Sequence, residues 1–545
     1  MTPATITRTT RHRSGTLRLL AVLAVAALVA IGCSGENDDS TSADTGDTAS
    51  DTGATTADTG DTADTGSTAE TSATADTGTG GGEIWDDPRG EIFADFQAQF
   101  DRSHPFQPLD TFCLPHEEAA DRQATEPGID VDTIQVHQIR QQLENLIDIG
   151  FGVDVGDPTF MFELFINVIN EECGGIRGRQ LEIGTTDYDP LSPDIEQATT
   201  AACVKATEDE NAAFIMSSTG LQGTATLCIA EEHNTPYIGT IGLQEGFMER
   251  GGGKLTSFDF TQNDQLRYLV ERIDATGDLD GKTIGVIGAD TPGQPEAVQA
   301  GMIDTLVDLG YDIAVYDTIG CGGQTSCTEG VAESVGNLRD KGVDVLFPTL
   351  NILSLPGYVA EMVTQGFAPG DVQFYNSNFN TQSGDLVSSK VAAFGGEAAG
   401  ALYNGAVIVD SAATSNFRSD PDWPVPAFNQ LCIDTYAANG GEQFEYGGTI
   451  EGMLTVVCAE VRVMARAIYD AGDNPTRDSI GDALNALGPV DGNHMIPMSF
   501  APDKFAAADA AQTGRWTFPC ELPDGAYDEN DTCMVNNSDY EPVSG

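Results

Sequence analysis

From about residue 130 the chain switches repeatedly between two periodicities. Short runs of β-branched and other apolar residues alternate with longer stretches of helical spacing. The strand-like runs are Ile134–Ile139, Gln180–Gly184, Ala213–Met216, Pro236–Thr240, Thr283–Ile287, Asp312–Tyr316, Val343–Phe347 and Val372–Tyr375. Helical stretches separate most of them, and three more follow near 424–439, 449–471 and 476–487. One helix start is explicit: Asp157-Pro158 offers an N-cap followed by a proline in the first turn, with helical spacing to about Glu172. This alternation predicts parallel α/β units. The strands form two sets divided by Lys254–Gln262. The fold class expected is therefore α/β, with two doubly wound parallel-sheet lobes joined by a multi-crossing hinge and a ligand cleft between them.

The pattern before residue 130 is different. Arg8, Arg11, Arg13 and Arg18 precede an apolar run, Leu19–Ile31, that is short for a permanent membrane span. The run ends Ala30-Ile31-Gly32-Cys33, which resembles the bacterial lipobox and implies cleavage before a lipidated Cys33. Residues 34–82 are mostly Ser, Thr, Ala, Asp and Gly, with D-T-G recurring from Asp44 to Asp76. Such a segment has too little apolar surface to offset its ordering entropy, so it is expected to be a disordered tether. Calcium loops need ligands at alternate positions and a closing glutamate, and the repeat lacks that pattern. The organisation read from sequence is a lipoprotein signal peptide at 1–32, a tether at 33–82 and an N-terminal extension at 83–129. Lobe 1 then spans 130–260 and lobe 2 spans 261–403. Residues 404–545 hold the hinge return, helices shared between lobes and a disulfide-bearing end.

Charge and cysteine content narrow the setting. The chain carries 85 acidic and 25 basic residues, a formal net charge of −60, which disfavours nucleic acid and anionic lipid as partners. Beyond Cys33 the cysteines are even in number, and in an exported chain they read as disulfides. Cys321–Cys327 and Cys520–Cys533 are the expected local bridges, and Cys432–Cys458 would staple consecutive helices. The other four leave the pairing open, with Cys203–Cys228 and Cys113–Cys173 favoured. There is no CxxC pair, and the histidines do not cluster near the cysteines, so no metal site is expected.

One block is specific enough to compare with known families. Phe165-Ile-Asn-Val-Ile-Asn170, Cys173-Gly-Gly-Ile-Arg-Gly-Arg179, Leu181-Glu-Ile183 and Asp187-Tyr-Asp-Pro190 resemble the opening lobe of type I periplasmic binding proteins. The branch is that of the leucine/isoleucine/valine-binding proteins. The resemblance continues through Ala213–Thr219, Asn234–Ile238 and Gly281–Ile287, and spans roughly 130 to 505. It implies an ABC transporter substrate-binding lipoprotein. Such a protein captures a small polar ligand (amino acid, amide or carboxylate-like) by lobe closure and delivers it to an ABC permease.

Ligand-binding loops in such folds follow the C-terminal ends of parallel strands. Ser217, Ser218 and Thr219 lie after one of these strands, and the resemblance gives their hydroxyls a carboxylate to hold; the same residues also suit helix capping. Thr240 and Gly242 occupy the next loop, with Leu243 where the family places a hydroxyl. In lobe 2 the candidates are Asp290, Gln294, Asn351 and Asn378, the last near the family's ammonium-binding carboxylate. An amide cannot neutralise a buried ammonium, which weakens the case for an α-amino acid. Phe151, with Gln141 and Gln142, is expected to roof the cleft.

Catalytic patterns are missing from the sequence. There is no H-E-x-x-H, no G-x-S-x-G and no phosphate-binding G-x-x-x-x-G-K-[ST]. A non-enzymatic role without a cofactor is expected, in the periplasm or at the cell surface, anchored to the membrane through the lipid alone. A ligand sensor or scavenger with the same fold and no transporter is the alternative.

Overall fold

In the computed structural model the described residues are 112–115, 117–151, 154–221, 223–379, 385–411, 427–443, 448–490, 492, 498–502, 504–520, 532–536, 538 and 541–543. Cys33, its signal segment, the tether and the extension up to residue 111 lie outside them. No described helix is long and apolar enough to cross a membrane.

Among the described residues there are fifteen strands. In chain order they begin with β1 (Thr133–Gln141), β2 (Gln180–Tyr188), β3 (Phe214–Ser217), β4 (Tyr237–Gly239) and β5 (Leu255–Ser257). Then come β6 (Ile284–Ala289), β7 (Ile313–Ile319), β8 (Val345–Pro348), β9 (Gln373–Ser377) and β10 (Val407–Asp410). The last five are β11 (Gly488–Val490), β12 (Met498–Phe500), β13 (Ala510–Thr517), β14 (Cys533–Asn536) and β15 (Glu541–Pro542). The helices used below are α1 (Leu143–Asp148), α2 (Pro158–Glu171), α3 (Ile195–Val204), α4 (Gln262–Thr276), α5 (Asp385–Gly395), α6 (Ala427–Ala438), α7 (Thr449–Asp470) and α8 (Arg477–Asn485).

Local sequence explains the opening of lobe 1. The Asp157 side chain accepts from the Phe160 N–H at 3.0 Å and Pro158 starts α2, as the N-cap signal predicts. The apolar face of α2, including Phe162, Phe165 and Ile166, is buried. The chain then turns through Gly174, Gly175 and Gly178, whose φ angles are +77°, +78° and +79°. A Cβ at Gly175 would fall 2.1 Å from the Arg179 carbonyl oxygen, so only glycine fits this turn into β2.

The first sheet has the order β2-β1-β3-β4-β5 and is parallel throughout. The second runs β14-β13-β10-β9-β8-β6-β7, with β15 beside β13. Strands β6 to β10 are parallel within it, and β13 pairs antiparallel with β10 and β14. The eight strand-like runs correspond to β1–β4 and β6–β9. Strand β5, three residues long, lies inside the stretch read from sequence as the divider between lobes.

Sheet membership and packing of the described residues take the chain between the lobes three times. After β5 it enters α4, which packs on β9 and β10. After β10 it returns to α6 and α7, which pack on α2 of lobe 1. After Ala506, bridged to Ser257, it re-enters lobe 2 as β13. Asp259 sits at the first crossing, 1 % exposed. Its carboxylate accepts from the Phe260 N–H at 2.8 Å and from Gln265 Nε2 at 2.9 Å. It also accepts from Asn378 Nδ2 and from Ser411 Oγ at the second crossing. Burial pushes this carboxyl up to about 7.

Among the described residues five disulfides are formed: Cys113–Cys173, Cys203–Cys228, Cys321–Cys327, Cys432–Cys458 and Cys520–Cys533. Cys432–Cys458 joins α6 to α7. Cys113–Cys173 ties the segment ahead of β1 to the end of α2. There Phe112 stacks on Phe165 and Arg122 Nη1 donates to the Gly178 carbonyl at 2.7 Å.

Candidate functional site

The strands of both sheets end toward a common cavity. In lobe 1, the last residues of β1 and β2 supply Gln141 and Tyr188, and the segments after β3 and β4 supply Ser218 and Thr240 with their neighbours. In lobe 2, the segments after β6, β7 and β8 supply Thr291 and Gln294, Gln324 and Thr325, and Asn351 to Leu353. Helix α7 adds Met453. The cavity measures about 380 Å³, within the range of small-molecule sites. It lies outside the carboxyl ends of the parallel strands, where α/β sheets place their ligands.

Of the ten ligand residues read from sequence, Phe151, Ser218, Thr219, Thr240, Gln294 and Asn351 line this cavity. Thr219 Oγ1 accepts from the Gln141 N–H at 2.7 Å, and Thr240 Oγ1 donates to the Ser218 carbonyl at 3.3 Å. Gln138 Nε2, buried beneath, donates to Ser218 Oγ at 3.2 Å. These bonds fix the two hydroxyl loops from below. Asn351 is held as a turn residue. Its Oδ1 accepts from the Ser354 N–H at 3.1 Å and from Ser354 Oγ at 2.8 Å, and its Nδ2 donates to the Thr325 carbonyl at 2.6 Å.

Ser217, Gly242, Asp290 and Asn378 lie off the cavity wall, each for a physical reason. Ser217 is the last residue of β3 and fully buried. Gly242 packs its Cα against the chain, where a Cβ would fall 1.9 Å from the Phe260 carbonyl oxygen. Asp290 Oδ1 accepts from the Cys321 N–H at 2.8 Å and so anchors the small disulfide loop. Asn378 is committed to Asp259 at the hinge.

The two lobes touch at the mouth of the cavity. Thr325 Oγ1 donates to the Pro190 carbonyl at 2.6 Å, and the Ile195 N–H donates to the Gly323 carbonyl at 3.0 Å. Both lobe-2 residues sit between Cys321 and Cys327, whose bridge closes the loop. Phe151 stacks on Phe394 of α5, with ring centroids 3.7 Å apart and planes 10° from parallel.

The sequence did not single out most of the apolar lining. Leu143 and Leu146 come from α1, Ile195 from α3, Ile352 and Leu353 from the loop after β8, and Met453 from α7. Tyr188 lies within the quoted Asp187-Tyr-Asp-Pro190 block; its hydroxyl donates to the Gly220 carbonyl at 2.7 Å, and burial pushes it up. Among the described residues that line the cavity, Glu196 is the only charged side chain, and no Lys, Arg or His is present. For metal chemistry, the one compact donor group among the described residues is Cys203, Cys228 and His233. Both sulfurs there are spent in a disulfide, so neither is available as a thiolate.

Comparison with known proteins follows the same lines. No curated protein sequence matches the chain. Among solved structures, a fatty acid ABC transporter substrate-binding protein from Thermomonospora curvata matches with a TM-score of 0.53 at 16 % identity, over 78 % of this chain and 95 % of its own. A solute-binding protein of an ABC transporter from R. palustris, in complex with 4-hydroxybenzoate, gives a TM-score of 0.52 at 14 % identity, over 75 % and 97 %. A possible leucine/isoleucine/valine-binding protein from Rhodopirellula baltica SH 1 gives 0.50 at 14 %, over 76 % and 98 %. At such identities the likeness is one of fold. The sequence profile described as periplasmic binding protein matches residues 161–518, well over half of the chain. The chain belongs to the periplasmic binding protein family.

Proposed function

We propose that this chain is an extracytoplasmic solute-binding lipoprotein. It captures a small organic ligand by closing two lobes and hands it to the permease of an ABC importer. The observation that carries the reading is the cavity of about 380 Å³ walled from both lobes at the strand ends. A ligand there contacts both lobes at once, so it favours the closed state by its differential affinity. Anchoring rests on the lipobox-like Ala30–Cys33, and the tether gives the body reach from the membrane surface.

The lining bears on which ligand is taken. Hydroxyls and amides at Ser218, Thr219, Thr240 and Gln294 face a largely apolar wall. An α-amino acid has two charged groups, and a carboxylate such as 4-hydroxybenzoate has one that would meet no base in the lining. A ligand with an apolar body and few polar groups suits the cavity better than a zwitterion.

The test is a thermal-shift screen of the purified body. The panel holds amino acids, amides, short peptides, amines, and aromatic and aliphatic carboxylates. A ligand that binds the native state alone raises the melting temperature by mass action. At least one class is expected to do so, and a flat response across the whole panel overturns capture. For the anchor, Cys33→Ala is expected to release the protein from the membrane fraction.

A further inference from the structure

We propose that the cleft selects an organic monocation, a nitrogen cation on an apolar body, with Glu196 as its counter-ion. This rests on the reading of the cavity as the capture site and names the chemistry it takes.

Glu196 stands in the first turn of α3, where an acid often serves only to stabilise the helix end. That task already has an owner, because Asp194 Oδ1 caps α3 by accepting from the Gln197 N–H at 3.0 Å. The Glu196 side chain instead joins the cavity wall, and Thr224 Oγ1 donates to its Oε1 and fixes its direction. Among the described residues no hydrogen bond reaches Oε2. One carboxylate oxygen is thus oriented and the other remains open to a ligand.

The rest of the lining makes this carboxylate decisive. A carboxylate ligand would be desolvated beside Glu196 with no basic side chain in the wall to answer it. A neutral ligand would leave the Glu196 carboxylate with the Thr224 hydroxyl but no counter-charge in a closing cavity, which costs free energy as water is displaced. A cation resolves both problems. Leu143, Leu146, Phe151, Ile352, Leu353 and Met453 then take the apolar body. At longer range the −60 net charge of the chain concentrates cations near the cleft and repels anions.

The experiment uses three probes with one body: 3-phenylpropylamine, 3-phenylpropanamide and 3-phenylpropanoate, titrated calorimetrically into the whole protein and into Glu196→Gln. The amine is expected to bind at least tenfold more tightly than the amide, and the acid least. Glu196→Gln is expected to cost the amine at least tenfold and leave the amide unchanged, at a melting temperature equal to the parent's. Equal affinities, a preference for the acid, or an amine preference that survives Glu196→Gln overturns the inference. Failure of all three probes to bind overturns it as well. Capture itself survives either result if any member of the broader panel stabilises the protein, and falls only if none does.

Discussion

Thr325 and Pro190 belong to different lobes, and the hydroxyl of one donates to the carbonyl of the other at 2.6 Å. This bond, with the Ile195 N–H to Gly323 carbonyl bond beside it, makes the seven-residue loop from Cys321 to Cys327 a clasp across the cleft. The loop is held from behind by Asp290, Asn351 and Ser354, which bond Cys321 N, the Thr325 carbonyl and Cys327 N. A hydrogen bond of this kind contributes about 1 kcal/mol net. Thr325→Val is therefore expected to shift the closed-to-open ratio about fivefold toward open. Spin labels placed one on each lobe would show the long-distance population rise in the ligand-free protein; an unchanged distance distribution would contradict the clasp.

Capture can be blocked without touching a polar group. Leu353 lines the cavity from lobe 2. Leu353→Trp adds bulk to a space of about 380 Å³ and is expected to abolish the ligand-induced thermal shift while the ligand-free melting temperature holds. Retention of the shift in this variant would place the ligand elsewhere.

The buried Asp259 carboxyl sets a pH dependence. Its value in the folded protein is raised to about 7 from an ordinary 3.8. Between these values the native state holds a proton that the unfolded chain has released, so stability falls as pH rises through the window. At about 1.4 kcal/mol per unit, the contribution is on the order of a few kcal/mol. Asp259→Asn is expected to flatten the part of the urea-stability profile lying between pH 4 and 7. An Asp259→Asn profile parallel to the parent's across that range would refute this assignment.

Cys113–Cys173 closes a segment with a sequence separation of 60 residues. On the chain-entropy account a bridge of that span contributes about 4 kcal/mol. Replacing both cysteines by serine is expected to lower urea stability by roughly that amount, with the first sheet retained by circular dichroism.

Much of the fold was legible because it rests on local signals. The Asp157-Pro158 start and the glycines of Cys173–Arg179 fix α2 and its exit in a way that any compatible tertiary context keeps. Strands β5 and β13 were not legible. Three residues are too few to show a period, and the pairing of β13 with β10 joins segments about a hundred residues apart. The site divides in the same manner. Ser218, Thr219 and Thr240 follow strand ends and could be anticipated, whereas Met453 reaches the cleft from a helix far along the chain. Glu196 was hidden by abundance, since in a chain with 85 acids no single carboxylate stands out until its surroundings are known. Asn378 followed from the family alignment, but its amide is drawn to Asp259, a partner 119 residues away.

The three crossings also govern the order in which the molecule can be made. The first sheet is finished at Ser257, yet the long helix that packs on α2, Thr449–Asp470, lies nearly two hundred residues later. Lobe 2 in turn waits for β13 and β14, which follow α7 in the chain. Lobe 1 cannot complete its core until α7 has been synthesised, and lobe 2 cannot until β13 and β14 have been. Each lobe therefore matures only after chain from beyond the other lobe's strands has been added, and a truncation before α7 deprives the first lobe of its packing as well as removing the second lobe's last strands.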